Sequence, residues 1–435
     1  MDPMRSPTSS GSDTDVVVVG AGLAGLRCAI ALRGAGLDVR VLEAADAPGG
    51  RIRTDVVDGF RADRGFQLLN PAYPAVGRWV DVPALRLQSF AAGVSARTDT
   101  GLTTLAHPLR EPGLIAATAG AGARRPREVL ATARWGRALL TPRRGRTLSQ
   151  VLAQRGPDQD LGSALDDAGL GGLLRTVLER FFAGVLLEDE LSTSSRYALL
   201  LTWMFVRGVP GLPYEGMQAL PGQLADSLGA RVRLSTPVES VVAAGAGVTV
   251  TAAGQQLHSR AVVVATGARQ AQQLVGVTAP ASKGVVTTWG SAPEAPTGSA
   301  LLHVDGRARA GGPVVNCAVI SNAAPSYAPP GRHLVQASAL LDPGRAPREA
   351  DVRRHAGEIL GCSTAGWREL IRHEVPHALP AQPAPYSAQR PVALGDGVFV
   401  CGDHRDTGSI QGALVSGQRA ADAVLASLAG REGHP

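Results

Sequence analysis

Aromatic side chains make up only 4% of the 435 residues, so a site lined by many rings would have to be a local concentration. Lysine is scarcer still: of 43 basic residues, Lys283 is the only one that is not arginine. The four cysteines, Cys28, Cys317, Cys362 and Cys401, stand far apart with no CxxC pair. That spacing excludes a disulfide scaffold and a structural zinc module, and a reducing cytoplasm is the simplest compartment for it. No apolar run is long enough for a membrane-spanning helix. The opening "MDPMRSPTSSGSDTD" lacks the apolar core of a secretory signal and reads as a floppy tail over residues 1–14. The formal charge is +6, yet the arginines are scattered apart from one cluster. No nucleic-acid-binding motif accompanies them, so nucleic acid is not an expected partner.

What is present is a globular composition, 44% hydrophobic and 18% charged with 53 glycines and 30 prolines, at a length that fits two domains or one with a large insertion. In "DVVVVGAGLAGLRCAIALRGAGLDVRVLEA" an apolar run meets Gly20, Gly22 and Gly25, then a helix-like stretch, then a second apolar strand ending at Glu43. This is G-x-G-x-x-G between strand and helix, with an acidic residue about twenty positions on. Gly20 permits the tight turn, Gly22 lets the backbone approach a pyrophosphate at the helix N-terminus, and Gly25 lets helix and strand pack closely. Glu43 is placed to accept hydrogen bonds from ribose hydroxyls. The unit does not by itself choose between NAD and FAD.

"PGGRIRT" follows at once, with Gly49, Gly50 and Arg51. A second close approach of main chain, with a guanidinium fork attached, suits a ligand that runs on past the first ribose through a ribityl chain to a flavin. GxGxxG, then glutamate, then GG-R-x-x-T resembles the superfamily of flavin-containing amine oxidases, protoporphyrinogen oxidases and phytoene desaturases. The resemblance continues in "DGFRADRGFQLL", at Asp63, Gly65, Phe66 and Gln67, and in "STPVES" and "VVVATGA". It ends in "GVFVCGDHRDTGSIQGALVSGQ". It implies an α/β chain: a discontinuous Rossmann-type FAD-binding domain with an inserted α+β substrate domain. The implied FAD domain covers 15–70, 220–280 and 395–430, and the substrate domain 71–219 and 281–394.

The cofactor-contacting set implied by the resemblance is Gly20, Gly22, Ala24, Gly25, Glu43, Ala44, Gly49, Gly50, Arg51, Gly65, Phe66 and Gln67 in the first third. Val238, Ala265, Thr266, Gly402, Asp403, Ser409, Ile410, Gln411 and Gly412 complete it. Val238 would meet adenine through its backbone, Asp403 the ribityl or phosphate portion, and 409–412 the isoalloxazine. The cysteine motif for covalent attachment is missing, so FAD is expected to be held non-covalently.

Candidate strands at Val314 to Ile320 and His333 to Leu340 suggest a sheet in the substrate domain, and "LERFFAGVLLEDELSTSSRYALLLTWMFVRG" reads as apolar helix, either core or the wall of a greasy cavity. "HEVPH", His373 to His377, matches a zinc-protease pattern on paper. Pro376 forbids the unbroken helix which that chemistry needs, so an extended segment is expected and no metal site. In Ala123 to Arg146, apolar Val129, Leu130, Ala133, Leu139 and Leu140 form one face among arginines. An ordinary packed helix and contact with an anionic membrane surface both fit it.

Lys283, after the "VVVATGA" strand, and His404, beside Asp403, are the candidates for acid–base work. Amine oxidases of the resembled family line the ring face with two aromatics, one of them two positions before the glutamate of a "YMEGA"-like motif; here the segment is "SIQGA", with Ser409 at that place. The departure weakens the amine reading, while the apolar Leu199 to Val206 region and the arginine cluster favour dehydrogenation of an apolar isoprenoid- or polyene-like substrate, with oxygen, a quinone or another acceptor taking the electrons. Oxidation of a small amine stays open, as does FAD binding without turnover or with redox-neutral isomerisation.

Overall fold

A computed structural model describes residues 13–140, 148–154, 156–245, 247–342 and 344–432. The expected tail, 1–14, lies outside the described residues except for its last two, and Thr14 already opens the first strand. The chain forms two compact units: the first runs to Gly50 and takes in Pro221–Ala279 and the chain from Ala388, and the second comprises Arg51–Leu220 and Pro280–Ser387.

The first unit is built on β1 (Thr14–Val19), α1 (Leu23–Gly34) and β2 (Val39–Leu42). The valine run of β1 is buried on both faces, as a central parallel strand requires. Parallel pairing places Val400, Val264, Val19, Leu42 and Arg233 on adjacent strands in that order, with strands Gln255–Val264, Val398–Val400 and Val232–Arg233 flanking β1 and β2. An antiparallel extension, Val238–Ala244 and Gly247–Ala252, completes the sheet on the Gln255–Val264 side. The C-terminal helix Ile410–Glu432 packs on α1, and a Cβ at Gly417 would sit 2.2 Å from the Ala24 carbonyl oxygen, so glycine there sets how closely the two helices approach.

The second unit has a seven-stranded sheet in the order Arg368–Pro380, Ser282–Ala292, His333–Leu340, Val314–Val319, Leu302–Asp305, Gly93–Thr98, Gly101–Ala106. All neighbours are antiparallel except Leu302–Asp305 with Gly93–Thr98. The apolar stretch 178–208 forms parts of two helices, Gly172–Leu186 and Ser195–Arg207. Phe182, Leu186, Tyr197, Leu199 and Leu201 of these helices join one buried cluster.

Two boundaries differ from the sequence expectation. Residues 51–70 group with the second unit, because Asp63 is tied there to Met217 and Tyr327. Residues 388–394 group with the first, where Ala393–Gly395 pairs with Val398–Val400. Among the described residues no helix is long and apolar enough to cross a membrane, and all four cysteines are free thiols.

The "HEVPH" stretch is part of the strand Arg368–Pro380, as Pro376 demands. The proline falls where the ladder slips between Lys283 and Val285, a bulge at which a missing N–H costs little. The two histidines go separate ways: His373 Nε2 lies 2.8 Å from Asp55 Oδ2, and His377 Nδ1 lies 2.6 Å from Ser282 Oγ.

The arginine-rich helix Pro126–Gly136 turns part of its aliphatic face outward. Val129 and Leu130 do not face the core; Ala131 and Trp135 do, since the indole offers the larger apolar surface to bury. The last part of that segment, 141–146, lies outside the described residues.

Candidate functional site

In the first unit the four sequence pieces leave the same edge of the sheet. Gly20 follows β1, Glu43 follows β2, Ala265 follows Gln255–Val264, and Cys401 follows Val398–Val400, all at the carboxyl ends of parallel neighbours. That edge is where an open α/β sheet binds its ligand.

The three motif glycines have distinct tasks. Gly20 sits at φ +105°, a conformation that excludes most side chains. A Cβ on Gly25 would lie 2.0 Å from the Gly20 carbonyl oxygen and 3.0 Å from Ala265 Cβ, so it fixes helix against strand. At Gly22 a Cβ would meet nothing within 4 Å, and the first turn of α1 carries neither a side-chain cap nor an acidic residue. This is the state in which a helix N-terminus can accept an anion.

The second glycine pair doubles back on the first turn. Gly49 N–H donates to the Ala21 carbonyl at 2.9 Å, and a Cβ on Gly50 would stand 3.6 Å from Gly22 Cα. Glu43 is held in place by main chain: Oε2 accepts from Ala21 N–H at 2.6 Å and Oε1 from Ala45 N–H at 2.9 Å. Each oxygen keeps a second lone pair, as a ribose hydroxyl would need. Thr236 N–H donates to the Glu43 carbonyl at 2.8 Å, bringing the start of the Val238–Ala244 strand to the same corner. Ala44 is exposed beside it, and Thr266 follows Ala265.

The C-terminal piece is equally tight. Gly402, at φ +145°, donates its N–H to Ser416 Oγ at 2.9 Å, and the buried His404 ring fills the space where a Cβ would be. Asp403 and His404 lie in the short 3-10 turn Asp403–Arg405, both buried. Ser409 caps the long helix that begins at Ile410 and Gln411: its Oγ accepts from Gly412 N–H at 3.1 Å and lies 2.9 Å from Thr407 Oγ1. A Cβ on Gly412 would be 1.9 Å from the Thr407 carbonyl oxygen, so only glycine fits that turn.

The second unit gathers the remaining candidates at one end of the strand Arg368–Pro380. Arg51 Nη1 donates to the Ala378 carbonyl at 2.7 Å, and Gln67 Nε2 to the Arg51 carbonyl at 3.2 Å. Lys283 pairs in register with Leu379. Gly65, at φ +89°, would place a Cβ 3.9 Å from Val285, and Phe66 meets Phe90 edge-on.

Lys283 has a partner the sequence did not disclose. Its Nζ lies 3.5 Å from Oε2 of the buried Glu188, which also accepts from Ser192 Oγ and from Thr193 N–H at 2.9 Å. Burial alone would raise the Glu188 carboxyl, but these hydrogen bonds and the Lys283 charge bring it below its ordinary value. Glu188 falls between two helices beside residues of positive φ, Leu187 and Leu191, and no periodic signal marks such a place.

A dinucleotide-type sheet with an uncapped helix N-terminus at its carboxyl edge, interrupted by a large second unit, defines the class of two-domain dinucleotide-binding proteins. The chain belongs to the flavin-containing amine oxidoreductase family, whose model matches residues 23–425. It is 56% identical over 58 residues to hydroxyneurosporene desaturase of Rhodobacter capsulatus, 13% of this chain and 12% of that protein. To L-amino-acid oxidase of Daboia russelii it is 39% identical over 77 residues, 17% of this chain and 15% of that protein. The matched stretches thus span well under a fifth of these relatives. Among solved structures, putrescine oxidase with putrescine bound superposes with a TM-score of 0.64 at 21% identity, covering 95% of this chain and 99% of that chain.

The family makes FAD the cofactor, and the first unit's edge suits it: open space over Gly22, uncapped amides and a carboxylate at the end of β2. Glu43→Ala is expected to weaken FAD retention without unfolding the protein, at a cost of about 1–3 kcal/mol for the amides it leaves unpaired. Unchanged FAD affinity measured by equilibrium dialysis would remove Glu43 from the ribose.

Proposed function

We propose that this FAD-dependent oxidoreductase dehydrogenates a hydrophobic isoprenoid- or polyene-like substrate: bound FAD would supply the acceptor for a hydride from an allylic C–H, and the proton would go to solvent or a nearby base. The observation that carries the reading is Ser409. Where the resembled amine oxidases hold a ring-face aromatic, this side chain is committed to capping the helix from Ile410, and it offers no ring. The stretch shared with hydroxyneurosporene desaturase agrees with it.

FAD, when bound, supplies the two-electron acceptor. In this reading the chain supplies the rest. The amides around Gly22 and the carboxylate of Glu43 hold the dinucleotide half. By the same resemblance Val238, Ala265, Thr266, Asp403 and the 409–412 turn of the first unit, and separately Arg51, Gly65, Phe66 and Gln67 of the second, are the further candidates for holding the cofactor. Oxygen, a quinone or another carrier takes the electrons. The protein works in the cytoplasm, in peripheral contact with the membrane that stores such a substrate; its four free thiols fit a reducing compartment.

One observation favours the second reading, oxidation of a small amine. The chain uses arginine for every other cation yet keeps one lysine, paired with buried Glu188 at the same strand end as Arg51. An ammonium can give up its proton and a guanidinium cannot, so a lysine there suits proton handling.

Product analysis tests the proposal. Holoenzyme turned over with detergent-dispersed polyenes and a quinone should give a product lighter by one pair of hydrogens. Polyenes recovered unchanged, alongside amines converted to carbonyl compounds, would overturn it.

A further inference from the structure

We propose that the outer face of two consecutive helices in the second unit, Ile115–Ala123 and Pro126–Gly136, is a docking surface for an anionic lipid bilayer. This locates the membrane contact put forward above, but it rests on surface chemistry alone and needs no assumption about the substrate.

The first helix, IAATAGAGA, contains no charged residue and buries only Ala121. Ile115 is 44% exposed, and Leu109, just before it, 88%. The second helix is turned so that Ala131 and Trp135 are buried while Val129 and Leu130 stand outside, at 44% and 54% exposure. A solvated helix ordinarily puts charge where this one puts branched aliphatics. The two helices are neighbours: Arg125 Nη1 donates to the Ala121 carbonyl at 3.0 Å, and Val129 lies 3.7 Å from where a Cβ on Gly122 would be.

Charge supplies the second half of the argument. Exposed Arg124, Arg127, Arg134 and Arg137 surround the aliphatic positions. The stretch 107–140 holds only two carboxylates, and both are turned to main-chain donors. Glu111 accepts from Ala92 N–H at 2.7 Å, and Glu128 accepts from Leu174 N–H at 2.8 Å, in the first turn of Gly172–Leu186.

A surface both greasy and cationic fits a bilayer with anionic headgroups, where aliphatic side chains enter the acyl boundary and guanidinium groups stay among phosphates. A second copy would set arginine against arginine across a symmetric interface, and a nucleic acid would leave the aliphatic side chains without a partner. Helices this short lie on a membrane rather than cross it.

The test is co-sedimentation of the holoenzyme, without substrate, with vesicles of phosphatidylcholine alone or mixed with phosphatidylglycerol in equal parts. Binding to the anionic vesicles should exceed binding to the neutral ones at least about tenfold and weaken with salt. Val129→Asp with Leu130→Asp should lose at least about tenfold while flavin content and thermal midpoint stay unchanged. Arg124→Glu with Arg127→Glu should lose binding too, which guards against a local effect of the first pair. Equal sedimentation with both vesicle types, or no change in either double variant, would overturn the proposal. So would a dimer that Val129→Asp and Leu130→Asp dissociate with no vesicle binding, assigning the face to a second copy. Because no substrate is present, these failures are separable from failure of the polyene reading.

Discussion

Gly22→Ala is expected to leave the apoprotein as stable as the parent and to strip it of FAD, whereas Gly25→Ala, three residues on, should damage the fold itself. The two glycines differ in what surrounds them. Gly22 has φ −73° and ψ 173°, which alanine adopts freely, and its added methyl would meet no protein atom within 4 Å. The thermal cost should therefore stay within about 0.5 kcal/mol. Only a ligand lying against the turn would feel that methyl, and the loss in FAD affinity should be at least about tenfold, ~1.4 kcal/mol.

At Gly25 the methyl would lie 2.0 Å from the Gly20 carbonyl oxygen and 3.2 Å from the carbonyl carbon behind it. Neither is a flexible side-chain end, so the helix must move off the strand, at about 3 kcal/mol or more. Differential scanning calorimetry of the apoproteins and FAD titration of each give the comparison. Equal destabilisation by both, or full FAD affinity in Gly22→Ala, would contradict the assignment of Gly22 to a ligand-facing turn.

Asp63 carries the second large effect. Its carboxylate is fully buried and accepts from Thr54 Oγ1, from Met217 N–H at 3.0 Å and from Tyr327 Oη at 2.9 Å. The Trp289 indole N–H donates to its backbone carbonyl at 3.1 Å. Asp63 therefore ties the hairpin of Thr54–Val57 and Phe60–Asp63, and with it Gly65, Phe66 and Gln67, to the rest of the second unit.

Burial outweighs those hydrogen bonds and pushes the carboxyl up from 3.8 to about 6. The folded protein thus keeps this proton over a range where the unfolded chain has lost it. Stability falls as pH rises from about 4 to 6 and then stays lower by about 3 kcal/mol. Asp63→Asn removes the buried charge. It should flatten that part of the profile relative to the parent and be at least as stable as the parent at neutral pH. Asp63→Ala leaves three partners unpaired and should cost about 3 kcal/mol or more at every pH. Chemical denaturation of the three proteins across this pH range decides the matter; parallel profiles for parent and Asp63→Asn would show that Asp63 titrates as an ordinary carboxylate.

What could be read in the sequence was local. The strand, turn, helix and second strand from Thr14 to Leu42 announce themselves through one valine run, three glycines and a glutamate, all within thirty residues of each other. The strands at Val314–Val319 and His333–Leu340 show as short stretches dominated by apolar residues, and Pro376 settles the backbone of "HEVPH". What escaped was set by distant partners. Residues 51–70 belong with the second unit because Asp63 meets residues 154 and 264 positions away. Helical periodicity gave the amphipathic pattern around Val129 and Leu130 but not which side would pack, and Trp135 decided that. The Glu188 partner of Lys283 is 95 residues away in the chain. Ser409 as a helix cap was legible in principle, since a serine three residues before a small residue at a helix start is a capping pattern.

In the proposed function the flavin of this protein is reduced by an apolar, unsaturated substrate. The most direct test is anaerobic mixing of the purified holoenzyme with two pools, detergent-dispersed isoprenoids and polyenes in one, primary and secondary amines in the other, while the absorption of oxidised flavin is recorded. Bleaching by the apolar pool and none by the amines is expected. Bleaching by the amines alone would contradict it and move the chemistry to an amine substrate, with Lys283 and Glu188 at its centre.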